Sequence, residues 1–154
     1  MCCVKIIVET VMARVSGEEL HYVITKSPHP KIGDPLATAR AAVASHFPDV
    51  WLKQAIVHST SWRYDDESIV LTFLAYDDDI PLSGFRHTMQ LTSVEDRAND
   101  DDGEASVAAH ALRHLAFLVE TEPKEFVPRI RAEALARIRT VAPDISRNRT
   151  PEAA

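Results

Sequence analysis

The chain has 154 residues, 45 % of them hydrophobic and 26 % charged, with a formal net charge of −6. That is enough apolar material for one compact core, and the composition is not that of a disordered, collagenous or coiled-coil chain. The negative balance excludes a protein that coats nucleic acid by neutralising phosphates, and the longest apolar runs, Ile69 to Leu71 and Phe73 to Ala75, fall far short of the roughly 20 residues of a membrane span.

Val4 to Val15 is rich in β-branched residues and is separated by Ser16-Gly17-Glu18-Glu19 from a second such run, Leu20 to Thr25, which predicts an antiparallel hairpin. Three prolines between Ser27 and Pro35 exclude regular structure there, and Asp34-Pro35 supplies an N-cap followed by a proline at the first helical position. Leu36 to Phe47, mostly alanine and stopped at Pro48, is the expected short helix. Trp51 to Trp62 and Ser68 to Tyr76 are strand candidates joined by the polar link Arg63 to Glu67, and together they are expected at the centre of the sheet. Asp77 to Gly84 reads as a loop, Phe85 to Val94 as a weaker strand, and Glu95 to Gly103 as an acidic, mobile excursion. From Glu104 to Thr121, Val107, Ala108, Ala111, Leu112, Leu115, Leu118 and Val119 recur at helical spacing. A last helix is expected after Pro123, with Phe126, Val127, Ile130, Ala134, Leu135 and Ile138 on one stripe, ending at Pro143. The order predicts one α+β domain over residues 1–142, a mixed or antiparallel sheet with one short helix after the first hairpin and two C-terminal helices, and a frayed tail over 143–154.

Charge is unevenly spread. Between Tyr64 and Glu104 twelve acidic residues face only Arg86 and Arg97, whereas Lys124 to Ala154 carries seven basic residues against four acidic ones. Both stretches read as solvated faces. Cys2 and Cys3 are adjacent, without the two-residue spacer of a metal or redox pair, and they read as small hydrophobes opening the first strand. The N-terminus has neither a basic n-region nor a small-residue cleavage site, so a cytoplasmic protein is expected.

The arrangement from Val4 to Tyr76, a hairpin, a loop leading into a helix and then a long strand pair, resembles the Nudix hydrolase family. In that family a glycine, an arginine and several glutamates on the loop and helix hold magnesium against a diphosphate. Gly33 matches the glycine or Arg40 the arginine, but not both in one register, and Pro35 through Pro48 contains no Asp or Glu. Magnesium needs oxygen ligands, usually including a carboxylate, so the resemblance implies a Nudix-like scaffold without its metal chemistry and carries over no catalytic residue.

Three constellations remain. His110 and His114 stand four residues apart on a helix and can share a metal ion, with His58, His87 or an aspartate triplet as a third ligand; against this stands a plain, partly exposed stripe of His110, Arg113, His114 and Phe117. Strand alternation puts His58, Thr60 and Trp62 on one face and Ser59, Ser61 and Arg63 on the other, so His58 and Trp62, with Arg63 nearby, are candidates to line a pocket for a planar ligand. Asp77-Asp78-Asp79 and Asp100-Asp101-Asp102 lack the ligand spacing of a calcium loop and read as solvated.

These features favour a non-catalytic Nudix-like domain that binds a small, nucleotide-like molecule or a protein. Two alternatives stay open: a metal-dependent hydrolase using His110 and His114, and a structural subunit docking through its C-terminal helices. No organic cofactor is expected, a divalent metal only at those histidines, neither nucleic acid nor membrane as a partner, and a homo-oligomer is left open.

Overall fold

A computed structural model describes residues 4–30, 32–48, 54–100 and 103–143. The expectations for Cys2 and Cys3, for a strand beginning at Trp51, for Asp101 and Asp102, and for the tail from Asp144 lie outside the described residues. The fold is α+β. Five strands, β1 (Lys5–Ser16), β2 (Glu19–Pro28), β3 (Ile56–Asp65), β4 (Ser68–Tyr76) and β5 (His87–Gln90), form one mixed sheet in the order β3-β4-β1-β2-β5. β1 and β4 run parallel at its centre and the other neighbours are antiparallel. β3 is therefore an edge strand, not a central one as its sequence suggested.

The tight links of both hairpins depend on left-handed backbone. Gly17 (φ 58°) turns β1 into β2, and Asp66 (φ 53°) turns β3 into β4 across a two-residue loop, Asp66-Glu67. Glycine has no Cβ to oppose this conformation, and aspartate is among the residues that tolerate it best.

The sheet is covered on both sides. α1 (Pro35–His46), capped by the Asp34 carboxylate accepting from the Leu36 amide at 3.0 Å, lies on one face. Its small residues let it sit close, with Ala39 and Val43 fully buried against Val8, Met12, Phe73, Ala75 and Ile80. On the other face α3 (Gly103–Thr121) and α5 (Ala132–Arg139) bury Leu112, Leu115, Ala134, Leu135 and Ile138 against Val11, Val15, Ile56 and Leu74. Each fully buried side chain of this size contributes about 1.5–3 kcal/mol, so this second face holds most of the stability. β1 is sandwiched between the two layers, which is why it reads as a nearly continuous apolar run instead of an alternating one.

The C-terminal half departs from expectation in three places. The weak strand shrinks to β5, followed by a 3-10 turn over Leu91–Ser93. The acidic excursion contains a short helix, α2 (Val94–Ala98), anchored by buried Val94 and Ala98 while its acids face water. Period-based reading overlooked it because one turn offers only two apolar positions. The last helix is interrupted: α4 (Pro123–Phe126) runs into a 3-10 turn, Val127–Arg129, before α5 begins. Pro128 sits in that turn, and a proline removes a backbone donor and crowds the preceding carbonyl, so the helix cannot continue through it.

Candidate functional site

The positions of the candidate residues turn on one irregularity in β3. Ser59 lies opposite Phe73 and Ser61 opposite Thr72, so Thr60 is an extra residue bulged out of the ladder, its hydroxyl donating to the Thr72 carbonyl at 3.3 Å. A bulge resets the alternation. His58, opposite Leu74, faces the α3 layer, whereas Trp62, opposite Leu71, faces the α1 side of the sheet. The expected grouping of His58 with Trp62 is thereby overturned: Trp62 is 62 % exposed and packs edge-on to the equally exposed Tyr64, 5.5 Å between ring centres. Arg63, expected on the face opposite His58, instead shares its side of the sheet.

There Arg63 meets the one carboxylate buried in the middle of β1. Its guanidinium binds Glu9 in a forked pair, Nη1 to Oε1 at 2.9 Å and Nη2 to Oε2 at 3.1 Å, and the Thr72 hydroxyl donates to Oε1 at 2.9 Å. Lys26, from the neighbouring strand, stands 3.8 Å from Oε2. Burial alone would raise the Glu9 pKa, but the hydrogen bonds from Arg63 and Thr72, with the charges of Arg63 and Lys26, outweigh it and hold the carboxyl below its usual range. The same pair raises the pKa of Arg63, chiefly through the hydrogen bond to Glu9.

This cluster lies in an open cleft of about 450 Å³ between the sheet and the start of α3, walled by Lys26, Ser61, Glu104, Val107 and His110. Glu9 and Lys26 escaped the sequence reading. A single acid inside Ile6-Ile7-Val8-Glu9-Thr10-Val11 was the available signal, since an acidic residue in a strand covered on both faces must find a partner.

The helix histidines part company. His110 is exposed and borders this cleft, while His114, one turn further along, packs beside His58 with ring centres 5.5 Å apart. Among the described residues no group of three His, Cys, Asp or Glu side chains gathers where a metal could be held. His87 stacks on Tyr22 and lies 3.8 Å from Glu104.

No family model, curated protein or solved structure matches this chain.

The first aspartate triplet is not the solvated loop its composition suggested. Asp78, 6 % exposed, accepts from the Tyr76 hydroxyl at 2.7 Å through Oδ1 and from the Arg131 amide at 2.7 Å through Oδ2, tying the end of β4 to the residue before α5. Asp77 accepts from the Asp79 amide at 2.8 Å, and burial raises its pKa. Arg14 donates to the Ile80 carbonyl at 2.8 Å, and Arg131 pairs with Asp79. Both Asp78 oxygens serve protein donors, which marks a structural knot.

Proposed function

We propose that the chain is a non-catalytic, Nudix-like domain that binds a small, polar, nucleotide-like molecule in the cleft between β1, β2, β3 and α3. The observation that carries this reading is the Glu9-Arg63 pair: a buried carboxylate, costly to desolvate, whose partly exposed arginine partner opens onto a cleft instead of being sealed in the core. Arg63 and Thr72 are committed to Glu9, which leaves Lys26, Ser61 and His110 to meet an incoming ligand. A lysine ammonium, a serine hydroxyl and an imidazole suit a phosphate or carboxylate beside a hydrogen-bonding ring.

The non-catalytic part of the reading rests on α1. It crosses from β2 to β3 on the opposite face, in keeping with the Nudix-like order, and offers no carboxylate to a magnesium ion. Calorimetry with AMP and ADP in EDTA tests both parts. Binding that persists without metal, weakened tenfold or more by Lys26→Ala or His110→Ala, with no ADP hydrolysis when magnesium is supplied, is the expected outcome. Robust magnesium-dependent turnover would sink the non-catalytic reading, and failure of either nucleotide to bind would sink the ligand class.

A further inference from the structure

His58 and His114 come from elements far apart in sequence, an edge strand and the long covering helix, and meet with their ring centres 5.5 Å apart and their planes inclined by 38°. Each ring shows a feature that packing alone does not require. The His58 Nδ1 lies 2.7 Å from the Ser59 carbonyl, an acceptor only, so Nδ1 carries the proton and Nε2 presents its lone pair. An imidazole whose Nδ1–H is held by a backbone carbonyl is oriented as metal-ligating histidines usually are. On His114 the Nε2 atom is buried without a hydrogen-bond partner. A buried imidazole nitrogen left unpaired costs about 1–3 kcal/mol unless something satisfies it.

We infer that His58 and His114 form a two-histidine site for a divalent late transition metal such as zinc, with water completing the coordination shell. With metal–nitrogen bonds of about 2.0–2.1 Å, two imidazoles on one ion at tetrahedral to trigonal angles have ring centres about 5–5.5 Å apart, which agrees with the observed spacing. Imidazole nitrogens select zinc, nickel or copper over magnesium or calcium, so this site differs in metal class from the carboxylate chemistry that α1 lacks. Phe126 packs edge-on to His58 at 5.8 Å and Phe117 tilts against His114 at 6.3 Å, giving the pair an apolar surround. His110 borders the neighbouring cleft and is not part of the site. The inference is independent of what occupies that cleft.

Titration of the full chain with Zn2+ alone, followed by calorimetry and by the ring-nitrogen resonances of the histidines, tests the site. The expected result is one equivalent bound, His58 and His114 Nε2 signals displaced together, and affinity reduced tenfold or more by His58→Ala or His114→Ala but less than twofold by His110→Ala. The resonances of the unaltered protein decide the matter even where a variant folds poorly. Absence of stoichiometric binding, or displacement of His110 or His87 in place of the pair, would overturn the assignment.

Discussion

Glu9 and Asp78 are both buried carboxylates, and they are held in different ways. Asp78 gives one oxygen to the Tyr76 hydroxyl and the other to the Arg131 amide, all within the protein, and so acts as a clasp between β4 and α5. Glu9 is more deeply buried, 1 % exposed against 6 %, yet its main partner Arg63 is 39 % exposed and both border an open cleft. Burial of a charge therefore does not by itself mark function. What separates the two is the kind of partner: a tyrosine hydroxyl and a backbone amide hold Asp78, whereas Glu9 is held by the side chain of a partly exposed arginine with a lysine beside it.

Removing the clasp should cost the most. Asp78→Ala removes the acceptor of both the Tyr76 hydroxyl and the Arg131 amide, and an unfolding titration should show a loss of about 2–4 kcal/mol. Nucleotide affinity of the folded fraction should be unchanged. Arg63→Ala leaves Glu9 buried without its main partner. Because Arg63 is partly solvated and Lys26 stands near, the cost should be about 2–3 kcal/mol, below that of a fully enclosed pair. The double variant Glu9→Leu with Arg63→Met should recover much of that stability while removing the Glu9-Arg63 pair from the cleft, which separates folding from binding.

Acidification sharpens the contrast further. His114 has a depressed pKa in the folded protein, so below 6.5 the unfolded chain takes up the proton first and stability falls until the folded value is passed. Glu9, also depressed, contributes stability that is full above 4.5 and lost as the pH drops through its folded value. Denaturant titrations across pH should show both losses, the one that begins below 6.5 removed by His114→Phe. The smallest effect is expected at Trp62. Its side chain is 62 % exposed, so Trp62→Ala should change stability by less than about 1 kcal/mol, whereas a core tryptophan would cost about 3–5 kcal/mol.

Most elements were legible in the sequence because they follow strong periodic or capping signals. Asp34-Pro35 marks the start of α1, and the apolar period from Val107 to Val119 marks α3. The sheet order was not legible. A parallel pairing of β1 with β4 depends on how α1 returns the chain across the sheet, and no local pattern encodes that. The candidate site failed at a single residue. Strict alternation through His58-Ser59-Thr60-Ser61-Trp62-Arg63 gave the wrong faces, because a bulge at Thr60 shifts every later side chain and neither a glycine nor a proline announces it. With that shift applied, Arg63 falls beside Glu9 and Trp62 leaves the site, so the same six residues describe a charged cleft in place of an aromatic pocket.

The most direct test of the account is a titration of the 15N-labelled chain with ADP, read residue by residue. Resonance displacements are expected to centre on Lys26, Ser61, Arg63 and His110, with Asp78 and Arg131 unmoved. Displacements concentrated at Asp77 to Asp79 and Arg131, or at Trp62 and Tyr64, would contradict it.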